Sequence, residues 1–461
     1  NQRVASLVSD PIKYLCLLIA TLKSGNCFVP LPMMVSEESL LKMFNDSNSC
    51  CLFLSSSTEK MAKNLLSSKQ LTHKISTDSD LSNGQSYQQF CQDSIEFENV
   101  PTCSSAECNL IYSSGTTGTP KGILLESQYR INQISGWIGF GVTTESSVLV
   151  TPSLYSNWAL TAICATLSIG GTLLLPSSTK TENLLDICLN DKPSHLVTVP
   201  IQLSRMLESK QFSSKEMPET LKICAGSPFS ATEKQNALTQ WPNGGVIDLY
   251  GATEGGARTI LLAHKYPDKL DSIGKPYPGM EHSIKIINDN NNEVSIGETG
   301  EIVGFSKNQM KEYINRADDT EQAYWYDNRG QAYIRSGDVG RFDEDGFLYI
   351  SSRKKDMIIS GGMNIYANDL ENVLLKHPQI IEAAVIGIYS KKWGESPFAY
   401  IVTENNTLIN EEDIIYWANS KLGKTQRIVG LSLCKNLPRN SMGKTNKQAL
   451  REIYKDEESV N

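Results

Sequence analysis

From Arg3 to about Ser230, short apolar runs alternate with helix-length segments, and this rhythm constrains the fold more than any other feature of the chain. "RVASLV" and "NCFVPLP" read as strands on either side of the helix "PIKYLCLLIATLKSG". "SEESLLKMFNDSN" reads as a second helix, with Ser36 placed to cap it and Glu38 in its first turn. The runs "CLFLSS", "NLIYSS", "SVLVTP", "GTLLLP", "HLVTVP", "LKICAG" and "GVIDLY" follow as short strands. Strands joined by helix-length connections form βα units, and βα units build a mainly parallel sheet.

After about Asp271 the pattern changes. "SIKIIND", "EIVGFS", "QAYIRS", "VGRFD" and "FLYISS" are short strands divided by Asn-, Asp- and Gly-rich turns, which predicts an antiparallel, barrel-like subdomain. From about Asp356 two amphipathic helices, "ANDLENVLLKHP" and "INEEDIIYWANSKL", join the strands "IEAAVIGIY", "FAYIV" and "LSLC" in a small α+β domain. The polar "SRKKD" at Ser352–Asp356 marks the boundary. The expected organisation is a large α/β domain over residues 1–354, with α/β layers to about 270 and the antiparallel subdomain over about 271–354. A small domain follows over 355–461.

Composition narrows the function classes. Basic residues number 43 against 51 acidic ones, for a net charge of −8, and no basic stripe is present, so a general nucleic-acid surface is excluded. The longest apolar stretches, such as "YLCLLIATL" at Tyr14–Leu22, are too short for a transmembrane helix. No secretory leader is visible and the expected compartment is the cytoplasm, although the chain begins at Asn1 without a methionine and an earlier segment stays open. The eleven cysteines lack the paired spacing of a zinc site and read as buried, reduced thiols. The five histidines are dispersed and read as structural.

"YSSGTTGTPKG" at Tyr112–Gly122 follows a strand and is dense in backbone and hydroxyl donors, as a loop that holds a multi-oxygen anion must be. Its glycines permit close backbone approach, and Lys121 adds a mobile cation. The spacing is not that of G-x-x-x-x-G-K-[ST]. The other candidate for that motif, "MGKT" at Met442–Thr445, fails because Pro438 stands where its first glycine belongs. Further on, "LYGATEGG" places Tyr250 at a strand end, where its ring can stack on a purine, and Glu254 in an otherwise uncharged run, where it can meet Mg²⁺. "RSGDVGRFDEDGFLYISSRKKD" carries Asp338, suited to the two hydroxyls of a ribose, and Arg353. "PRNSMGKTNKQALR" presents Lys444 on a turn.

Taken in this order, "YSSGTTGTPKG", "YGATE", "SGDVG…DEDGFLYISSRKKDMIISGGMNIY" and "PRNSMGKTNK" resemble the adenylate-forming superfamily of acyl-CoA synthetases, luciferases and peptide-synthetase adenylation domains. The resemblance runs from near Arg3 to about Arg451. It implies that Ser114, Gly115, Thr116, Thr117, Gly118, Thr119 and Lys121 grip the β/γ-phosphates of ATP. It implies that Gly226, Ser227, Tyr250 and Gly251 bracket adenine, that Ala252 and Ile350 also belong to the ATP/AMP site, and that Thr253 and Glu254 serve the α-phosphate and magnesium. Asp338 and Arg353 fall to the ribose, and Lys444 to bridging the carboxylate and the α-phosphate. Lys355 falls at the hinge of a mobile small domain, and Gly361 and Gly362 line a tunnel for the pantetheine arm of coenzyme A.

The acyl pocket falls by the same resemblance on "TPSLYSNWALTAICATLSIGG", with Tyr155, Asn157 and Trp158 as its candidates. No Asp or Glu occurs from Thr151 to Gly171, which disfavours an amino acid, since a buried α-ammonium needs a partner. The expected protein is therefore an AMP-forming acid–CoA ligase using ATP, Mg²⁺ and coenzyme A on a small carboxylic acid. Two alternatives stay open: transfer to a phosphopantetheinyl carrier protein, and a non-catalytic nucleotide-binding relative.

Overall fold

The computed structural model describes residues 2–78, 84–92, 100, 102–113, 120–360, 363–403, 410–423, 426–439 and 445–460. The chain divides into two compact units. One comprises Asn1–Ile284 with Val303–Ile334, the other Lys285–Ile302 with Arg335–Asn461.

The first unit contains two large sheets. In the eight-stranded sheet the order is Glu312–Tyr313, Lys121–Glu126, Glu107–Ser113, Cys27–Pro30, Arg3–Leu7, Cys51–Leu54, His73–Ser76 and Gln85–Ser86. Its core strands run parallel, with Arg3 opposite Cys27 and Val4 opposite Cys51. The helix Pro11–Lys23 makes the first crossover. Asp10 caps it by accepting from the Lys13 N–H, and Pro11 opens it with no N–H to satisfy. The next helix, Glu37–Ser47, begins at Ser36, whose hydroxyl accepts from the Ser39 N–H, and ends at Asn48 in the left-handed region. Each such cap contributes about 1 kcal/mol. The strands alternate sides as a sheet buried on both faces requires. Ala5, Leu7, Leu110 and Leu124 enter one core, while Val8, Ile111, Ile123 and Leu125 enter another.

The seven-stranded sheet runs Lys275–Pro276, Thr259–Leu262, Val246–Tyr250, Leu221–Ala225, His195–Thr198, Ser147–Val150 and Thr172–Leu174. Its five strands from Ser147 to Tyr250 are parallel, and Thr259–Leu262 and Lys275–Pro276 close it in the antiparallel sense. One core cluster joins Phe28, Phe53 and Ile111 of the first sheet, Val148, Val197, Ile223 and Ile247 of the second, and Trp137 and Leu160 from two helices.

In the second unit, Asp338 to Phe342 pairs antiparallel with Leu348 to Arg353, with a bulge at Val339/Gly340. A C-terminal sheet follows in the order Met363–Ile365, Ile358–Ser360, Gly394–Thr403, Ile380–Ser390, with Gly430–Leu433 added parallel to Gly394–Thr403. The helices Ala367–Leu374 and Glu411–Asn419 cover it through Leu370, Leu374, Ile414 and Ala418, all buried.

The expected α/β class is therefore the observed one. Three local differences stand out. "QAYIRS" and "VGRFD" belong to one continuous strand, Ala332–Phe342. The strands Lys121–Glu126 and Tyr324–Tyr326 and the helix Lys447–Val460 were not anticipated. The cysteines are all free thiols, as expected, but Cys16, Cys91 and Cys103 are exposed rather than buried.

Candidate active site

Two parallel strands of the seven-stranded sheet, Leu221–Ala225 and Val246–Tyr250, lie side by side with Ala225 opposite Leu249. Gly226 and Tyr250 therefore emerge at the carboxyl ends of neighbouring strands, the edge at which open α/β sheets present ligand sites. Gly226 has φ +92°, a conformation that turns the chain sharply out of its strand. Ser227 is half-buried, and Gly251 and Ala252 are exposed.

The loop that follows Tyr250 is fastened from several directions. The Tyr129 hydroxyl donates to the Thr253 carbonyl at 3.1 Å. The Met310 N–H donates to the Glu254 carbonyl at 2.8 Å, and the Tyr313 hydroxyl donates to Glu254 Oε1 at 2.9 Å. Gly255 has φ +85°, and a Cβ there would lie 1.8 Å from the Asn308 carbonyl oxygen, so only glycine lets this loop pack. Burial, and then the Glu254 carboxylate, push the Tyr313 phenol well above its ordinary pKa, so it stays a donor.

Among the described residues no group of three or more His, Cys, Asp or Glu converges as a metal cage. Magnesium does not need one, because it binds through one or two carboxylates together with substrate phosphates and water. Half-buried Glu254, steadied on one oxygen by Tyr313, fits that requirement.

Ser114, Gly115, Thr116, Thr117, Gly118 and Thr119 lie outside the described residues. The strands flanking them do not. Tyr112 is opposite Gly122 and Ser113 opposite Lys121 in an antiparallel pair. Lys121 has an acidic and an aromatic neighbour. Its Nζ lies 2.9 Å from Asp319 Oδ1 and 5.1 Å from the centre of the Tyr313 ring.

The second unit brings Asp338 and Arg353 together. They are cross-strand partners, and Arg353 Nε lies 2.6 Å from Asp338 Oδ1. Asp338 is buried, and its N–H donates to the Ser336 hydroxyl, which in turn donates to the Ile302 carbonyl. Ile350 is on the same strand as Arg353 and accepts from Asn368 Nδ2 at 3.3 Å. Lys355 is the middle residue of a single 3₁₀ turn, Lys354–Asp356. Its neighbours are anchored by ion pairs, Lys354 to Glu301 at 3.1 Å and Asp356 to Arg451 at 3.0 Å. Gly361, Gly362 and Lys444 lie outside the described residues.

The acyl-pocket candidates sit at the start of the helix Asn157–Ile169, which Ser156 caps. Tyr155 is half-buried. Trp158 stacks on Trp137 with ring centres 5.6 Å apart, and its indole N–H donates to the Thr198 carbonyl at 3.0 Å. Both ends of the Asn157 amide are occupied, Oδ1 by Arg130 and Nδ2 by the Tyr129 hydroxyl. Sequence reading missed Arg130, Tyr129, Tyr313 and Asp319. The available signal was the spacing of Tyr129, Gln133 and Trp137 on one helix face, with Arg130 beside it.

Known proteins of one family resemble this chain. A family model described as AMP-binding enzyme matches residues 1–314, and one described as AMP-binding enzyme C-terminal domain matches residues 369–444. The chain belongs to the AMP-binding enzyme family. A 2-succinylbenzoate–CoA ligase of Bacillus velezensis is 32% identical over 353 residues, covering 76% of this chain and 69% of that one. The long-chain-fatty-acid–CoA ligase FadD13 of Mycobacterium tuberculosis is 27% identical over 458 residues, covering 98% and 88%. The ATP-bound crystal structure of MatB from Rhodopseudomonas palustris superposes with a TM-score of 0.88 at 23% identity, covering 99% of this chain and 89% of that one, a likeness of fold. The AMP-forming acid–CoA ligase class expected from the sequence agrees with the family and its relatives. No helix among the described residues is long and apolar enough to cross a membrane.

Proposed function

We propose that the protein converts an aryl carboxylic acid to its coenzyme A thioester in two half-reactions on one site. The observation that carries this reading is the Tyr250–Glu254 loop. It leaves the carboxyl edge of its strand beside Gly226, with Glu254 aimed by Tyr313. In the first half-reaction a carboxylate oxygen attacks the α-phosphorus of ATP. The new O–P bond forms as the bond to pyrophosphate breaks, and negative charge grows on the phosphoryl oxygens. Fixed donors and cations at that charge lower the barrier most.

In this reading Tyr250 lies against adenine beside Gly226, Ser227, Gly251 and Ala252. Asp338 and Arg353 meet the ribose, next to Ile350. Ser114, Gly115, Thr116, Thr117, Gly118 and Thr119 hold the leaving pyrophosphate with Lys121, Thr253 serves the α-phosphate, and Lys444 bridges the acid and the α-phosphate. Bound Mg²⁺ at Glu254 would neutralise charge on the phosphates. In the second half-reaction the thiol sulfur of coenzyme A bonds to the acyl carbon, AMP leaves with the electron pair of the C–O bond, and the thiol proton passes to solvent or AMP. Gly361 and Gly362 line the approach of the pantetheine arm, after rotation at Lys355.

An aryl acid is favoured over a fatty acid by the 2-succinylbenzoate ligases among the relatives that reach 30% identity, and by the stacked Trp137–Trp158 pair beside the acyl-pocket helix. The cytoplasm is the proposed compartment. The test is product analysis with ATP, Mg²⁺ and a panel of aryl, short-chain and long-chain acids, with either coenzyme A or a phosphopantetheinylated carrier protein. AMP and an acyl-CoA from an aryl acid support the reading. Thioester on the carrier alone identifies a carrier-loading enzyme, and ATP binding with no turnover of any acid identifies a non-catalytic relative.

A further inference from the structure

Arg130 is buried, at 7% exposure, and among the described residues no carboxylate pairs with it. Neutral oxygens surround it instead. Its Nε donates to Asn109 Oδ1 at 2.8 Å, and its Nη1 donates to Asn157 Oδ1 at 2.8 Å, Gln133 Oε1 at 3.2 Å and Thr161 Oγ1 at 3.3 Å. Its Nη2 is buried with no hydrogen-bond partner. A buried guanidinium without a counter-ion is costly, and an apolar side chain of similar volume would pack there with less loss.

What the cation does achieve is directional. A guanidinium only donates, so Asn157 must turn Oδ1 toward it and Nδ2 away. Nδ2 then donates to the Tyr129 hydroxyl at 3.0 Å. That hydroxyl has one proton, and with Asn157 donating to it the proton goes to the Thr253 carbonyl at 3.1 Å. Burial keeps the Tyr129 phenol protonated, raising its pKa against the lowering influence of Arg130. The sequence of donors runs one way, from Arg130 through Asn157 and Tyr129 to the backbone of the loop that bears Glu254.

We propose that Arg130, Asn157 and Tyr129 form a one-directional hydrogen-bond relay that positions the Thr253–Glu254 loop for acyl-adenylate formation. Asn157 is then a positioning residue rather than a substrate contact, since its amide is oriented by Arg130 on Oδ1 and by the Tyr129 hydroxyl on Nδ2. The inference rests on the proposed ligase reading.

Two variants separate positioning from mere packing. Tyr129→Phe removes only the hydroxyl. Asn157→Asp keeps a partner for Arg130, now an ion pair, and an acidic residue in the first turn of a helix is well tolerated. But the aspartate only accepts, so it draws the Tyr129 proton away from Thr253. A loop displaced by about an ångström loses up to 10²-fold in rate. We expect both variants to lose roughly 10- to 100-fold in the maximal rate of acid-dependent pyrophosphate exchange. The KM values for ATP and acid should stay within about twofold, since the losses are realised in the transition state. Thermal midpoints should be near wild type, and thiolysis of a supplied acyl-adenylate by coenzyme A should be unaffected. Normal exchange in Asn157→Asp would overturn the relay, and so would equal losses in both half-reactions accompanied by a lowered thermal midpoint. A wild-type protein that shows no acid-dependent exchange would instead overturn the ligase reading.

Discussion

Lys234 and Asp248 show how single residues hold the adenine-side strands in place. Their charges meet at 2.8 Å with side-chain exposures of 1% and 6%, and Lys234 also donates to the Leu270 and Ser272 carbonyls. Burial pushes the Asp248 carboxyl above its ordinary pKa, and the Lys234 ammonium pulls it back. Lys234→Met strands a buried carboxylate in the strand that delivers Tyr250. We expect a loss of about 3–5 kcal/mol in chemical denaturation at neutral pH. The carboxyl pKa of that folded variant lies well above the unfolded value, so the folded state takes up the proton first on acidification. The deficit should therefore shrink as pH falls and widen as it rises through the folded-state pKa. At this scale Tyr250, Glu254, Asp338 and Arg353 could be singled out as candidates by residue type and neighbourhood, while Gly226 entered only through the family resemblance. Arg130 and Asn157 could not be linked in this way, because what matters in them is which way an amide faces, and that is decided by a contact across 27 residues of chain.

At the scale of elements, two glycines of the site behave differently. Gly255 and Gly226 both have positive φ, but a Cβ at Gly255 strikes the Asn308 carbonyl at 1.8 Å, whereas at Gly226 the nearest atom is Val199 Cγ1 at 3.8 Å. Gly226→Ala should cost only the left-handed strain, about 1–2 kcal/mol. Gly255→Ala must also displace the Thr253–Glu254 loop, and pyrophosphate exchange should fall at least about tenfold below that of Gly226→Ala. Similar activities in the two variants would contradict the close packing of this loop. The βα rhythm of the first 230 residues was readable because each parallel strand is a short apolar run bounded by turns. The antiparallel pairing of Glu107–Ser113 with Lys121–Glu126 was not, because the sequence leaves the direction of the second strand open and its cross-strand partners decide it. The strand Ala332–Phe342 looked like two because "SGD" at its centre reads as a turn. Its cross-strand partners lie on either side, Ala332–Ile334 against Tyr324–Tyr326 and Asp338–Phe342 against Leu348–Arg353, and Gly337 between them has φ +68°.

The whole molecule is two compact units, and its chemistry as proposed has two half-reactions. The α/β class, the antiparallel segment and the C-terminal α+β segment could all be read from hydrophobic period and turn composition. Compactness groups Lys285–Ile302 and the residues from Arg335 onward with the C-terminal segment, a grouping that arises from long-range packing and has no local signature. Motion at Lys355 is a separate expectation. Lys355→Pro fixes φ and removes an N–H in the 3₁₀ turn, and thioester formation should fall more than acyl-adenylate formation. Equal losses in both would argue against a pivot there. Acyl-adenylate formation by this chain is the proposal on which the rest depends. Its most direct measurement is ATP–pyrophosphate exchange with and without an aryl acid, in wild type and in Lys444→Ala. Exchange should require the acid and fall by at least about 10²-fold in the variant, while ATP binding is little changed. Acid-independent exchange, or near-normal exchange in Lys444→Ala, would contradict it.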